Sequence, residues 1–358
     1  MQATDQSGNS EAATRAADSI SFLVATYRMA PYITGMLDSI RSAMQPGDEL
    51  IIVDDGSPDD TISRCKDWLE RSLPTARLIA QTNQGVCASR NNALGLANCS
   101  YVLFLDGDDE VVASTIQDAR EVLTQLQPDI VEFDFDYWHP DSPTPLTRSN
   151  SKSHRPRELL DDKEELLCAT LADRAWALWG RLISRSVLTQ SNAPLFDQAL
   201  VIDDVPTTPY IVSCANSLYY LPEPIIKYRS TPHSLSKQRS AKLCLDIAAS
   251  PAEALRRMSP TQCSPRLQRT VHLWIARMFY EGVRLALYSP ECNAALFRTM
   301  YQRSIGELFP NPSELIRSLQ ATDIQLDRKI AREIRRFAQF PRMQSQLRAI
   351  SARVKRAR

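Results

Sequence analysis

Four short apolar runs constrain this chain more than any other feature. They are Ser19–Ala25, Glu49–Val53, Arg77–Ala80 and Tyr101–Leu105, and helical patterns lie between and after them. Ile33, Met36, Leu37, Ile40 and Met44 recur at helical spacing, as do Ile62, Cys65, Trp68 and Leu69 within Thr61–Ser72; Val86–Ala97 and Ala113–Leu126 read as two further helices. That period buries one stripe of a helix, whereas a short continuous apolar run suits a strand covered on both faces. Strands alternating with helices imply βαβ units and a largely parallel sheet. Asp129–Phe135 adds a strand, on which Asp134 and Asp136 alternate with Phe133 and Phe135 and are expected to face solvent at an edge. Leu218–Tyr228 contains Pro222 and Pro224 and is also expected at an edge, because proline cannot donate to a ladder. Leu159–Leu171 and Ala175–Leu188 read as helical or mixed, and His139–Pro156, rich in Pro and Ser, as a long loop. Beyond Lys237 the spacing of Leu267, Val271, Trp274 and Met278, and of Ile330, Ile334 and Phe337, predicts an all-helical region.

Charge enters through its distribution. The 42 Lys+Arg and 42 Asp+Glu cancel, yet Arg332–Arg358 holds nine basic residues and one acidic, leaving 33 basic and 41 acidic elsewhere. An acidic body disfavours nucleic acid as a partner. The tail places Leu347, Ile350 and Val354 on one helical face with Arg348, Arg353, Lys355 and Arg356 around it, a pattern suited to an anionic membrane surface. Residues 1–18 are polar and are expected to form a disordered leader, with no apolar segment of a secretory signal. No run approaches a membrane span, and the eight cysteines lack zinc or disulfide spacing, so reduced thiols and a cytoplasmic location are expected.

The chemistry gathers where strands end. The first run leads into Thr26-Tyr27-Arg28, the second ends at Asp54-Asp55-Gly56, and the fourth at Asp106-Gly107-Asp108-Asp109. In sheets of this class ligands bind beyond the carboxyl ends of the strands. Clustered carboxylates repel unless a cation neutralises them, and oxygen ligands suit Mg²⁺ or Mn²⁺, which commonly share their shell with substrate phosphates. Five of the ten glycines fall between Gly47 and Gly107, and Gly107 is read as leaving room for a diphosphate or sugar. Asp59-Asp60 reads as a cap for the helix at Thr61, and Asp203-Asp204 before Pro206 as a helix start.

Taken in order, Phe22–Tyr27, Ile51–Ser57, Asn83-Gln-Gly85 with Ala88–Asn91, Phe104–Asp109, Trp179–Ile183, Asp203-Asp204, and Tyr228-Arg229 with His233 and Ser236 resemble glycosyltransferase family 2 of the GT-A fold, of the type that builds bacterial surface polysaccharide. The resemblance covers about residues 20–238. It implies an α/β, Rossmann-like, mostly parallel sheet flanked by helices over residues 19–238, followed by a helical region with the basic tail over 239–358. It also implies an inverting, metal-dependent transfer of sugar from a nucleotide diphosphate, a UDP-sugar, to a glycan or lipid-linked acceptor. Ala25 and Tyr27 would line the base, Asp55 would meet the uracil imide, and Asp54 would support that loop. Asn83 and Arg90 would hold the nucleotide. Asp106 would face ribose or sugar, Asp108 would ligate Mn²⁺ or Mg²⁺ together with Asp106, and Asp109 would contact the donor sugar or stand behind the metal ligands. Asp204 takes the place of the catalytic base. Asp203 replaces the usual Glu, a departure that bears on acceptor contacts, and Trp179, Arg229 and His233 are candidates for acceptor or diphosphate. Two rivals remain: a non-catalytic glycan-binding or scaffold subunit, and a nucleotidyltransferase, which needs a Gly-rich loop that Ala25–Met29 lacks.

Overall fold

A computed structural model describes residues 16–138, 146–148, 150, 152–191, 193–229, 240–258, 264–306, 308–309, 313–321 and 325–338. Its first half alternates β1 (Ile20–Thr26), α1 (Ile33–Ala43), β2 (Glu49–Asp54), α2 (Thr61–Ser72), β3 (Arg77–Ala80), α3 (Val86–Leu96), β4 (Tyr101–Asp106), β5 (Glu110–Val111) and α4 (Ala113–Gln125). There follow β6 (Ile130–Trp138), β7 (Leu146–Arg148), β8 (Leu159–Leu160), α5 (Lys163–Asp173), β9 (Arg181–Ser184), α6 (Arg185–Leu188), α7 (Asp204–Cys214) and β10 (Leu218–Arg229). The remaining described elements are helices: α8 (Ala241–Met258), α9 (Pro265–Ala286), α10 (Ala294–Tyr301), α11 (Ser313–Gln320) and α12 (Gln325–Ala338).

The strands form one sheet in the order β3-β2-β1-β4-β9-β6-β10-β5, with β7 beside β6 and β8 beside β10. β1 runs parallel to β2 on one side and to β4 on the other. Side chains alternate between two buried faces: Phe22 and Val24 join one core with α1 and α4, whereas Leu23 joins a second with Phe104 and Phe196. Burial on both faces explains why these strands are continuously apolar. A third core joins α8–α12 to Leu167 and Leu171 of α5 and Val205 of α7.

Ala175–Leu188 takes the mixed form of its reading, a 3₁₀ turn at Leu178–Gly180, then β9, then α6. β9 is antiparallel to both β4 and β6. Its Arg181 is fully buried and pairs with the equally buried Glu132, a charge compensation that spacing cannot reveal. β10 is not at a free edge, since it is parallel to β6 and antiparallel to β5; the ladder accommodates its prolines through register shifts on either side of Pro224. β6 is likewise interior, so Asp134 is buried, accepting hydrogen bonds from the Asn150 amide and the Tyr220 hydroxyl. Part of the expected His139–Pro156 loop is strand β7, and Pro156 bridges Tyr220. Residues 1–15, His233 and the tail 339–358 lie outside the described residues.

Candidate active site

β1 and β4 are adjacent while β2 continues the other way, so the chain order reverses at β1 and leaves a crevice beyond its carboxyl end. Three groups of side chains surround it.

The first is the β2 end. Asp54 is buried and accepts hydrogen bonds from the Ser57 amide (2.9 Å) and hydroxyl (2.5 Å), which closes the turn at Gly56. Gly56 has φ +72°, and a Cβ there would meet Asn83 N and Gln81 O at 3.0 Å. Asp55 is also buried and accepts from Gln81 Nε2 (2.7 Å) and from the Gln84 and Gly85 amides (both 2.8 Å). Its carboxylate therefore organises the 81–85 loop. One lone-pair position on Oδ2 remains for a further donor. Ala25 is buried beneath this edge, while Tyr27, with the Arg28 guanidinium over its ring, and Asn83 are exposed.

The second group is built on Arg90. The α3 helix carries this buried guanidinium to Asp106 Oδ1 (2.6 Å) at the end of β4 and to Asp203 Oδ2 immediately before α7. Burial opposes its charge, yet the two carboxylates hold its pKa above the ordinary arginine value. Asp204 begins α7, and its Oδ1 accepts from the Val205 amide at 2.8 Å. Burial and the adjacent Asp203 charge push the Asp204 carboxyl up to about 7, against the pull of Arg90.

The third group is the acidic turn itself. Arg229, at the end of β10, donates from Nε to the Asp108 carbonyl (2.9 Å) and from a terminal nitrogen to Glu110 (3.0 Å). Its guanidinium lies between the rings of Trp138 (4.0 Å) and Tyr32 (5.1 Å). The Arg229 amide donates to Asp109 Oδ1, and Asp109 Oδ2 is buried without a hydrogen-bond partner. Burial, with Asp108 and Asp106 beside it, raises Asp109 well above the ordinary carboxylate range. Asp109, 1% exposed, therefore stands behind the turn and not on its open side. Arg229 is engaged inside the fold as a brace for the turn. Gly107 is explained differently from the expectation: a Cβ there would meet Thr26 Oγ1 at 2.8 Å, so the glycine permits β4 and β1 to approach each other.

Trp179 stacks on Tyr228 (5.2 Å between ring centres) and meets Phe135 edge-on, whereas Trp176 packs against Trp274 of α9. Gln81, Glu110, Tyr32 and Trp138 escaped sequence reasoning. Glu110 extends the acidic run and could have been found that way; the other three carry no local signal.

Among the described residues no three His, Cys, Asp or Glu side chains form a ready cation cage. A hard cation held by one or two carboxylates takes its remaining ligands from phosphate and water. Asp106 and Asp108, carboxylates at the strand end, fit that mode.

The glycosyl transferase family 2 model matches residues 21–179. The uncharacterized glycosyltransferase EpsJ of Bacillus subtilis is 29% identical over 222 residues, 61% of this chain and 63% of that protein. This chain thus spans 63% of that curated relative. Staphylococcus aureus TarS 1–349 superposes with a TM-score of 0.62 at 18% identity, covering 89% of this chain and 91% of that one; its complex with UDP-GlcNAc gives 0.53 at 17% identity, over 80% and 87%. A mannosyltransferase from Pyrobaculum calidifontis, in complex with GDP-Man and Mn²⁺, gives 0.51 at 18% identity, over 94% and 86%. These structural likenesses establish the GT-A type of fold.

Proposed function

We propose, from the premise that residues 21–179 belong to glycosyltransferase family 2, that this chain moves a sugar from a UDP-sugar to a glycan or lipid-linked acceptor with inversion, in surface polysaccharide synthesis. The observation that carries this reading is the Asp106–Arg90–Asp203 bridge, which joins the acidic turn to the segment presenting Asp204. A carboxyl near 7 is matched to general-base work at neutral pH. Asp204 takes the proton of the acceptor hydroxyl while that oxygen attacks the anomeric carbon. The bond from that carbon to the diphosphate breaks, and UDP leaves.

Ala25, Tyr27, Asp54, Asp55, Asn83 and Arg90 form the donor side, with Asp109 behind it. Asp106 and Asp108 would hold Mn²⁺ or Mg²⁺, which when bound supplies positive charge for the departing diphosphate. Asp203 fixes Arg90 and faces the acceptor side with Trp179; Arg229 holds the turn. Residues 19–238 are the transferase domain in this reading, and 239–358 a helical region that brings the enzyme to the inner face of the membrane. The UDP-GlcNAc complex of the TarS relative supports a uridine donor. Among the described residues no helix is long and apolar enough to cross a membrane.

The test is D204N, assayed by mass spectrometry against a panel of UDP- and GDP-sugars with Mn²⁺. Transfer should fall at least about a thousandfold, while UDP still raises the melting temperature. Normal transfer by D204N would overturn the base assignment, and stabilisation by GDP alone would overturn the donor.

A further inference from the structure

The third core holds α12 by one side only. Asp327, Ile330, Ala331 and Ile334 are buried, and the Arg277 guanidinium grips Asp327 through two hydrogen bonds of 3.0 Å. Arg328, Lys329, Arg332 and Arg335 are exposed. At 100° per residue these four fall on the opposite side of the helix from the buried set. Glu333 is half-buried at the margin, and Glu314 on α11 is hydrogen-bonded by Gln268. Lys329 lies over the Tyr280 ring (5.6 Å to its centre), and Arg335 donates to Gln320 at 2.9 Å. The helix axis is thereby fixed with its cationic side outward.

We propose that this outer face of α12 is a docking surface for an anionic lipid bilayer. Four exposed cations on one face of the helix, attached to a body (residues 1–324) with 40 acidic against 31 basic residues, single out one side of the molecule for a negative surface. The apolar side of α12 is spent on the protein core, so α12 docks by charge without inserting. The sequence beyond Ala338 continues with Arg342, Arg348, Arg353, Lys355, Arg356 and Arg358, which adds to the same sign. The surface rests on the lipid-linked acceptor reading only for its purpose. Vesicle binding requires no turnover, so the two can fail separately.

The experiment is co-sedimentation of the full chain with vesicles of phosphatidylcholine alone or mixed with phosphatidylglycerol. Wild type should sediment only with the anionic vesicles and be released at about 0.5 M salt, where charges are screened within a few ångströms. At about fivefold per cation near the surface, R328Q/K329Q/R332Q/R335Q should weaken binding by nearly three orders of magnitude, about 600-fold. R328K/R332K/R335K keeps charge and should bind like wild type, which separates loss of charge from loss of fold. Equal binding to neutral vesicles, full binding by the glutamine variant, or loss of binding in the lysine variant with unchanged melting would each overturn the proposal. So would binding to soluble polyphosphate without sedimentation on any vesicle.

Discussion

Asp204 shows what one carboxyl gains and loses by its position. Its folded pKa of about 7 lies above the ordinary 3.8, so between those values the native state binds more protons than the unfolded chain. Stability from this group is therefore present at low pH and is lost as pH rises toward 7. Two outcomes follow from the same number. The kcat/KM of transfer should fall about tenfold per pH unit below about 7, because the base must be unprotonated. D204N should be more stable than wild type at pH 8, by about 1–3 kcal/mol in urea titrations, with the difference vanishing near pH 4. A D204N variant less stable than wild type at pH 8 would contradict the electrostatic cost assigned here. Arg90 has the opposite character. Arg90→Met leaves the buried Asp203 and the one-third-exposed Asp106 without their shared cation, and should cost about 2–4 kcal/mol by chemical denaturation, most of it from Asp203.

Among the elements, β1 to β4 were legible because both faces are covered, so each strand writes itself as an apolar run. β9 was not. Arg181-Leu-Ile-Ser is short and opens with a charge, and its partner Glu132 lies on another strand. β10 misled for a related reason: the rule that bars proline from interior strands has an exception at irregularities, and the register shifts around Pro224 are such an irregularity. At the site, the strand-end carboxylates could be read locally, but the Arg90–Asp203 contact spans 113 positions in sequence and no local pattern encodes it. Helix packing supplies an element-scale prediction. A Cβ on Gly282 of α9 would meet the Cys244 carbonyl at 2.6 Å and Ala248 Cβ at 2.9 Å. Although alanine favours helix over glycine by about 1 kcal/mol, G282A should destabilise by about 1–3 kcal/mol because α8 and α9 must separate. Thermal unfolding would show a lower melting temperature; a higher one would mean the helices shift freely.

Across the whole molecule, the helical region supports the chemistry as well as its own core. Val205, next to Asp204, belongs to the third core, and Asp246 of α8 accepts from the Val201 amide at 2.9 Å while paired with Lys242. Asp246→Ala should therefore lower kcat about tenfold or more while leaving the donor KM nearly unchanged, since only the 201–204 segment loses its anchor. Steady-state kinetics at saturating donor would check it, and a rise in donor KM alone would contradict it. The placement of β9 has a further consequence, for biosynthesis. Sheet partners β3-β2-β1-β4 come from the beginning of the chain and β6-β10-β5 mostly from later, and β9 is the strand between them. On the ribosome, β1 to β4 can pair as soon as Asp106 has emerged, but the outer edge of β4 stays bare until Arg181–Ser184 follows. During that interval a nascent chain presents an open strand edge, the kind of surface that recruits chaperones or sticks to its neighbours on a polysome.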